Sequence, residues 1–138
     1  MRRVEVGEDK VVLRDEGTGR FAILSFRGWA KLRSLAAGID TAIDGIVNKL
    51  PDVFYRRHLG AGWFVTVQSN VWCVDIRKYY KPNVEDPDDD DAPRPTRVGI
   101  GLRLREWRML KDATEAMDVY RPDIARVQPC FHQNQEGE

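Results

Sequence analysis

The 138-residue chain has only two cysteines, Cys73 and Cys130, far apart in sequence. That excludes a disulfide framework and the paired-thiol spacing of a zinc site, and a reducing compartment fits. Its two histidines, His58 and His132, stand without Ser, Cys or carboxylate partners in a recognisable pattern, so general-base and nucleophilic catalysis have no visible seat. No phosphate-binding glycine motif occurs, because Gly60-Ala61-Gly62 lacks the lysine and the helix such a loop needs. No apolar run approaches the roughly 18 residues that suggest a membrane span. The opening Met1-Arg2-Arg3-Val4-Glu5-Val6 lacks the apolar block of a signal peptide. The expectation is a soluble intracellular protein, not an enzyme, with no cofactor, no metal and no membrane partner.

Net charge of one sign is also lacking, since 22 basic residues balance 22 acidic ones. A uniformly basic nucleic-acid binder is thereby excluded, but the charge is unevenly placed. The run Glu85-Asp86-Pro87-Asp88-Asp89-Asp90-Asp91 supplies six of the 22 acids. From Ala92 to Lys111 the balance reverses, with Arg94, Arg97, Arg103, Arg105, Arg108 and Lys111 against Glu106 alone. Local fields decide what a face binds more than the sum does. With 42% hydrophobic residues and four Trp anchors, a packed core is feasible without staples.

An internal echo organises the chain. Leu24-Ser25-Phe26-Arg27-Gly28-Trp29-Ala30-Lys31-Leu32, followed by Ile39-Asp40, matches Leu102-Arg103-Leu104-Arg105-Glu106-Trp107-Arg108-Met109-Leu110, followed by Met117-Asp118, at a constant offset of 78 residues. The echo suggests a duplication. In the first unit, Val11-Val12-Leu13 and Phe21-Ala22-Ile23-Leu24 around Asp15-Glu16-Gly17-Thr18-Gly19 predict a hairpin. The stripe Trp29, Leu32, Leu35, Ala36, Ile39, Ile43 and Ile46 predicts one helix ending before Pro51. In the second unit, strands are expected over 63–67, 71–80 and 97–102, with a turn at Gln68-Ser69-Asn70 and an acidic loop at 82–93. A helix carrying Trp107, Leu110, Ala113, Met117 and Tyr120 then runs to Pro122. The expected organisation is a shortened strand-strand-helix repeat at 1–50, a fuller repeat at 51–127 and a tail at 128–138.

Val74-Asp75-Ile76-Arg77-Lys78-Tyr79-Tyr80, then Arg94-Pro95-Thr96-Arg97-Val98-Gly99-Ile100-Gly101-Leu102, then Trp107, Leu110-Lys111 and Met117-Asp118 follow a specific order. That order resembles the C-terminal domain of the transcriptional coactivator positive cofactor 4 family, over about Phe54 to Tyr120 or roughly half the chain. The resemblance implies an α+β fold in which an antiparallel sheet is followed by a helix. It also implies binding of single-stranded DNA by dimers whose curved sheets face the nucleic acid. Two copies in one chain suggest an intramolecular pseudo-dimer, with further homo-oligomers open. The chain departs from the family in its short Gln68-Ser69-Asn70 turn, its acidic loop and a helix start without proline. Partners implied are single-stranded DNA or RNA and transcription or replication proteins, with a nuclear location if the source is eukaryotic or viral.

The resemblance points to Arg77, Tyr80 and Arg94 as nucleic-acid contacts. Tyr79, Lys81 and Arg97 lie beside them, Trp63 offers a stacking platform, and Arg14 and Arg20 flank the first hairpin turn where they extend a cationic track. Single strands are held by cations along the phosphates and flat side chains stacked on bases. Each residue has a plainer reading: Arg77 paired with Asp75, Tyr79 or Tyr80 in the core, Arg94 and Arg97 neutralising the acidic loop, Trp63 packed inside. Alternation places Trp72, Val74 and Ile76 on the packed face and Cys73, Asp75 and Arg77 on the other; a bulge at Lys78–Tyr79 is needed for Arg77 and Tyr80 to share a face. Arg56-Arg57-His58 reads as a basic patch or as the start of a solvated strand. The acidic run reads as a solvated loop or as an arm competing with phosphates. Two rival functions stand: a Pur-alpha or Whirly-like repeat protein, and a protein-interaction scaffold of the same fold that has lost the nucleic-acid face.

Overall fold

The computed structural model describes residues 2–80 and 94–120; Lys81, the acidic loop expected at 82–93 and the tail expected at 128–138 lie outside the described residues. The elements are β1 (Arg2–Val6), β2 (Lys10–Asp15), β3 (Phe21–Ser25), α1 (Phe26–Ser34), α2 (Ala36–Val47), β4 (Phe54–Gly60), β5 (Trp63–Gln68), β6 (Cys73–Tyr80), β7 (Arg94–Arg103) and α3 (Leu104–Tyr120). A three-stranded sheet β1-β2-β3 and a four-stranded sheet β4-β5-β6-β7 form in chain order, antiparallel throughout, and a helix follows each. The α+β class is as expected.

Turn chemistry sets these pairings. The Asp15 carboxylate accepts from the Gly17 N–H at 2.9 Å, and the Gly19 N–H donates to the Asp15 carbonyl at 2.7 Å. This local side-chain bond closes the β2–β3 hairpin. The β4–β5 turn runs through Gly60, Ala61 and Gly62 with φ of 107°, 52° and 82°, a path that glycine permits at both flanks. Ser25 caps α1 by accepting from the Gly28 N–H at 3.0 Å.

The structure departs from the expected elements at four places. Strands β1 and β4 add an edge to each sheet; their charged or mixed sequences, RRVEV and FYRRHLG, hide the alternation. The single predicted helix is two, broken at Leu35, whose N–H is shared between the Lys31 and Leu32 carbonyls at 3.1 Å. The Ser34 hydroxyl donates to the same Lys31 carbonyl at 2.7 Å, a local bond that competes with the helix ladder. Trp72 is not packed with Val74 and Ile76: it precedes β6 and is 55% exposed.

One core unites both sheets and all three helices. Val11, Leu13 and Leu24 of the first sheet pack with Trp29, Ile39, Val65, Ile76, Ile100 and Trp107. Helix α3 is tied to α2 by Trp107, whose indole N–H donates to Asp40 at 2.9 Å, and by Lys111, which donates to the other Asp40 oxygen at 2.6 Å. Because Val65, Val67, Val74, Ile76, Ile100 and Leu102 face this core, the opposite face of the four-stranded sheet points away from the helices. Among the described residues no helix is long and apolar enough to cross a membrane.

Candidate nucleic-acid interface

The composition of the outer sheet face follows from register. Phe54 lies opposite Gln68, Arg56 opposite Thr66, and His58 opposite Phe64. Phe64 is in turn opposite Arg77, and Thr66 opposite Asp75. On β7 the matching positions are Gly99, Gly101 and Arg103. The centre of this face is an aromatic row. The His58 and Phe64 ring centroids are 4.8 Å apart at 45°, and those of Phe64 and Tyr79 are 4.8 Å apart at 57°. Tilted contacts of this kind suit the ring quadrupoles.

Arg56 lies across the row. Its guanidinium carbon is 4.8 Å from the Phe54 ring centre and 4.9 Å from that of Tyr79, while its Nε donates to Thr66 Oγ1 at 3.3 Å. The cation is thus held within cation–π distance of two rings and anchored to Thr66. The result is a cationic and aromatic surface fixed in place before any ligand arrives.

The expected contact residues fare differently. Arg77 is on this face, but its Nε and Nη2 donate to the two Asp75 oxygens at 3.0 Å each, and its Nη1 donates to the Thr96 carbonyl at 3.1 Å. The plainer reading of Arg77, paired with Asp75, is the one observed. The Asp75 carboxylate, first through its hydrogen bonds and then through its charge, raises the guanidinium pKa above its ordinary value despite partial burial. Tyr79 is only 6% exposed; it belongs to the row as a ring under Arg56. Trp63 is 7% exposed and faces the helices in step with Val65 and Val67, so it is no stacking platform. Lys78 covers it from 5.8 Å and donates to the Ala61 carbonyl.

Tyr80 and Arg94 are exposed and pair with each other at the far ends of β6 and β7. The expected bulge exists, but its extra residues are in β7: between the pairs Arg77–Gly99 and Tyr79–Pro95, Lys78 alone faces Thr96, Arg97 and Val98. Alternation therefore continues along β6. Arg77 and Tyr79 point outward, and Tyr80 turns to the side of Lys78. Arg97 is exposed within the bulge. Arg14 and Arg20 belong to the first sheet and its hairpin turn, and Arg14 lies 3.8 Å from Glu5. Lys81 is outside the described residues. Of the eight expected contacts among the described residues, two, Arg77 and Tyr79, therefore sit on the aromatic face, and neither offers itself freely.

Phe54 and Phe64 are the residues that sequence reasoning passed over, while Arg56 and His58 belong to the Arg56-Arg57-His58 run read as a basic patch or the start of a solvated strand, and lie in β4. The signal for Phe64 was present, because Trp63, Val65 and Val67 at period two put Phe64 on the opposite face. Comparison with family models, curated proteins and solved structures finds no match. Among the described residues no group of three or more His, Cys, Asp or Glu is placed to hold a metal ion.

Proposed function

We propose that the chain binds single-stranded nucleic acid, DNA or RNA, with little base preference, across the outer face of the four-stranded sheet. The observation that supports this reading is the fixed row of His58, Phe64 and Tyr79 with Arg56 laid over it. Rings stack on any base, and the arginine serves both as a phosphate partner and as a second flat surface. Arg103, opposite Cys73 on the same face, adds a cation, and Arg77 cancels the carboxylate of Asp75. A strand held in this way is protected or presented during transcription, replication or repair.

The positive cofactor 4 reading belongs to the same proposal. An antiparallel sheet followed by a helix is what that resemblance implies, and Phe54–Tyr120 holds the four antiparallel strands β4–β7 and then α3. Three strands and two helices, α1 and α2, precede them, with Trp29 and Trp107 both buried. The Trp107–Asp40 bond joins the second unit to the first, as an internal pseudo-dimer needs.

One observation favours the scaffold alternative: the arginine that the resemblance marks most strongly, Arg77, is occupied by Asp75. A gel-shift with a thymidine strand of about 20 bases separates the two. Nucleic-acid binding predicts a shifted band that weakens with salt, at a log–log slope of about −0.7 per phosphate contact. The scaffold predicts no shift at micromolar protein.

A further inference from the structure

Where β5 turns into β6, a pocket of about 430 Å³ opens between the end of α2 and the Ser69-Asn70 turn. Its size falls within the range of about 300–1,000 Å³ typical of small-ligand sites. Trp72, Leu50 and Pro51 form its walls, and Lys49 and Asn70 line it beside them. The turn is fixed to the sheet: Ser69 Oγ accepts from the Val53 N–H at 2.8 Å and donates to the Leu50 carbonyl at 2.9 Å.

Three features point to one class of occupant. Trp72 is 55% exposed, whereas Trp29, Trp63 and Trp107 are buried, so its indole is an open stacking surface. Among the described residues the pocket lining includes the cation of Lys49 and no carboxylate, which suits an anionic ligand. Lys49 and Asn70 both hold positive φ, 60° and 72°. Lys49 follows the Asn48 cap of α2, and the Leu50 and Lys49 N–H groups donate to the Gly45 and Ile46 carbonyls at 2.9 Å each. Glycine suits that left-handed position best. A cation stands where folding alone favours glycine, a cost in backbone strain of the kind found at binding sites.

We infer that this pocket takes one nucleobase, stacked on Trp72, with an adjoining phosphate at Lys49 and the Asn70 amide at the base edge as donor or acceptor. The inference rests on the proposed function. Phe54, 61% exposed, lies at the same end of the sheet opposite Gln68. A strand crossing the outer face past Phe54 therefore reaches the pocket by rounding the end of the sheet. An apolar side chain from a protein partner is the competing occupant.

Tryptophan emission decides the matter, since Trp72 is the exposed indole among four. Titration of the full chain with a thymidine strand of about 20 bases is followed by emission, and in parallel by anisotropy of a labelled copy of that strand. The expected result is quenching that disappears in Trp72→Ala, with affinity about tenfold weaker. Lys49→Gly is expected to bind several-fold more weakly while melting at a higher temperature, an opposition that a merely structural role does not produce. Binding seen by anisotropy with no change in emission, and with Trp72→Ala as tight as the parent, overturns the pocket and leaves the sheet face standing. No binding by anisotropy overturns both.

Discussion

The guanidinium of Arg56 on β4 lies 4.9 Å from the ring centre of Tyr79 on β6, reaching across the intervening strand β5. This contact joins three strands on the side of the sheet opposite the described helices. It helps explain why Tyr79 is buried on an outward face, and it holds a cation against an aromatic row.

Tyr79 is a support rather than a contact in this arrangement. Tyr79→Phe keeps the ring beneath Arg56 and beside Phe64, so oligonucleotide affinity is expected to stay within about twofold of the parent. Tyr79→Ala removes a buried ring and is expected to cost about 3 kcal/mol of stability. Urea denaturation and anisotropy titration of the two variants check both outcomes.

Arg77 is expected to act in folding. Its forked bonds to Asp75 are largely shielded, with side-chain exposures of 19% and 22%. Removal of one partner leaves the other charge half-buried and uncompensated, so Arg77→Ala is expected to lower stability by about 1–3 kcal/mol. Arg77→Lys recovers part of this, since an ammonium cannot make the fork. The raised pKa of Arg77 fixes the sign of its pH dependence. A base stabilised in its charged form contributes fully below its unfolded pKa, and the contribution is lost only as pH rises through the folded value. The stability difference between parent and Arg77→Ala is therefore expected to show no loss from the arginine's own titration anywhere in the neutral range. Chemical denaturation at several neutral and mildly alkaline pH values tests this.

Asp40 ties α2 to α3 through a neutral and a charged donor, and the two are separable. Asp40→Ala strands the buried indole N–H of Trp107, at an expected cost of about 1–3 kcal/mol. Asp40→Asn keeps an oxygen for that N–H and gives up the half-exposed pair with Lys111, worth about 0–1 kcal/mol. Equal losses in the two variants, measured by guanidinium denaturation, would contradict this division.

The fold was legible where local chemistry spoke with one voice. The β2–β3 hairpin follows from Asp15, Gly17 and Gly19, and β5 from the alternation of Trp63, Val65 and Val67. The break at Leu35 was not legible, because the apolar stripe continues through it. At the candidate face, charge and family resemblance drew attention to Arg77, Tyr80 and Arg94, each read within its own strand. The face is instead assembled across strands. Arg56 meets Tyr79, and His58 meets Phe64, only once the register of β4, β5 and β6 is set. The mixed sequence of β4 left Arg56-Arg57-His58 open between a basic patch and the start of a strand, and its meeting with Phe64 of β5 and Tyr79 of β6 could not be read from either strand alone.

The outer face of the four-stranded sheet is the proposed binding surface, and the double variant Arg56→Ala/Phe64→Ala probes it. Its affinity for a thymidine strand of about 20 bases is compared with that of the parent at low and at moderate salt. The account predicts that the parent binds and loses affinity with salt, and that the variant, still folded by circular dichroism, binds at least about tenfold more weakly with a shallower salt slope. A folded variant with the affinity and salt slope of the parent contradicts it.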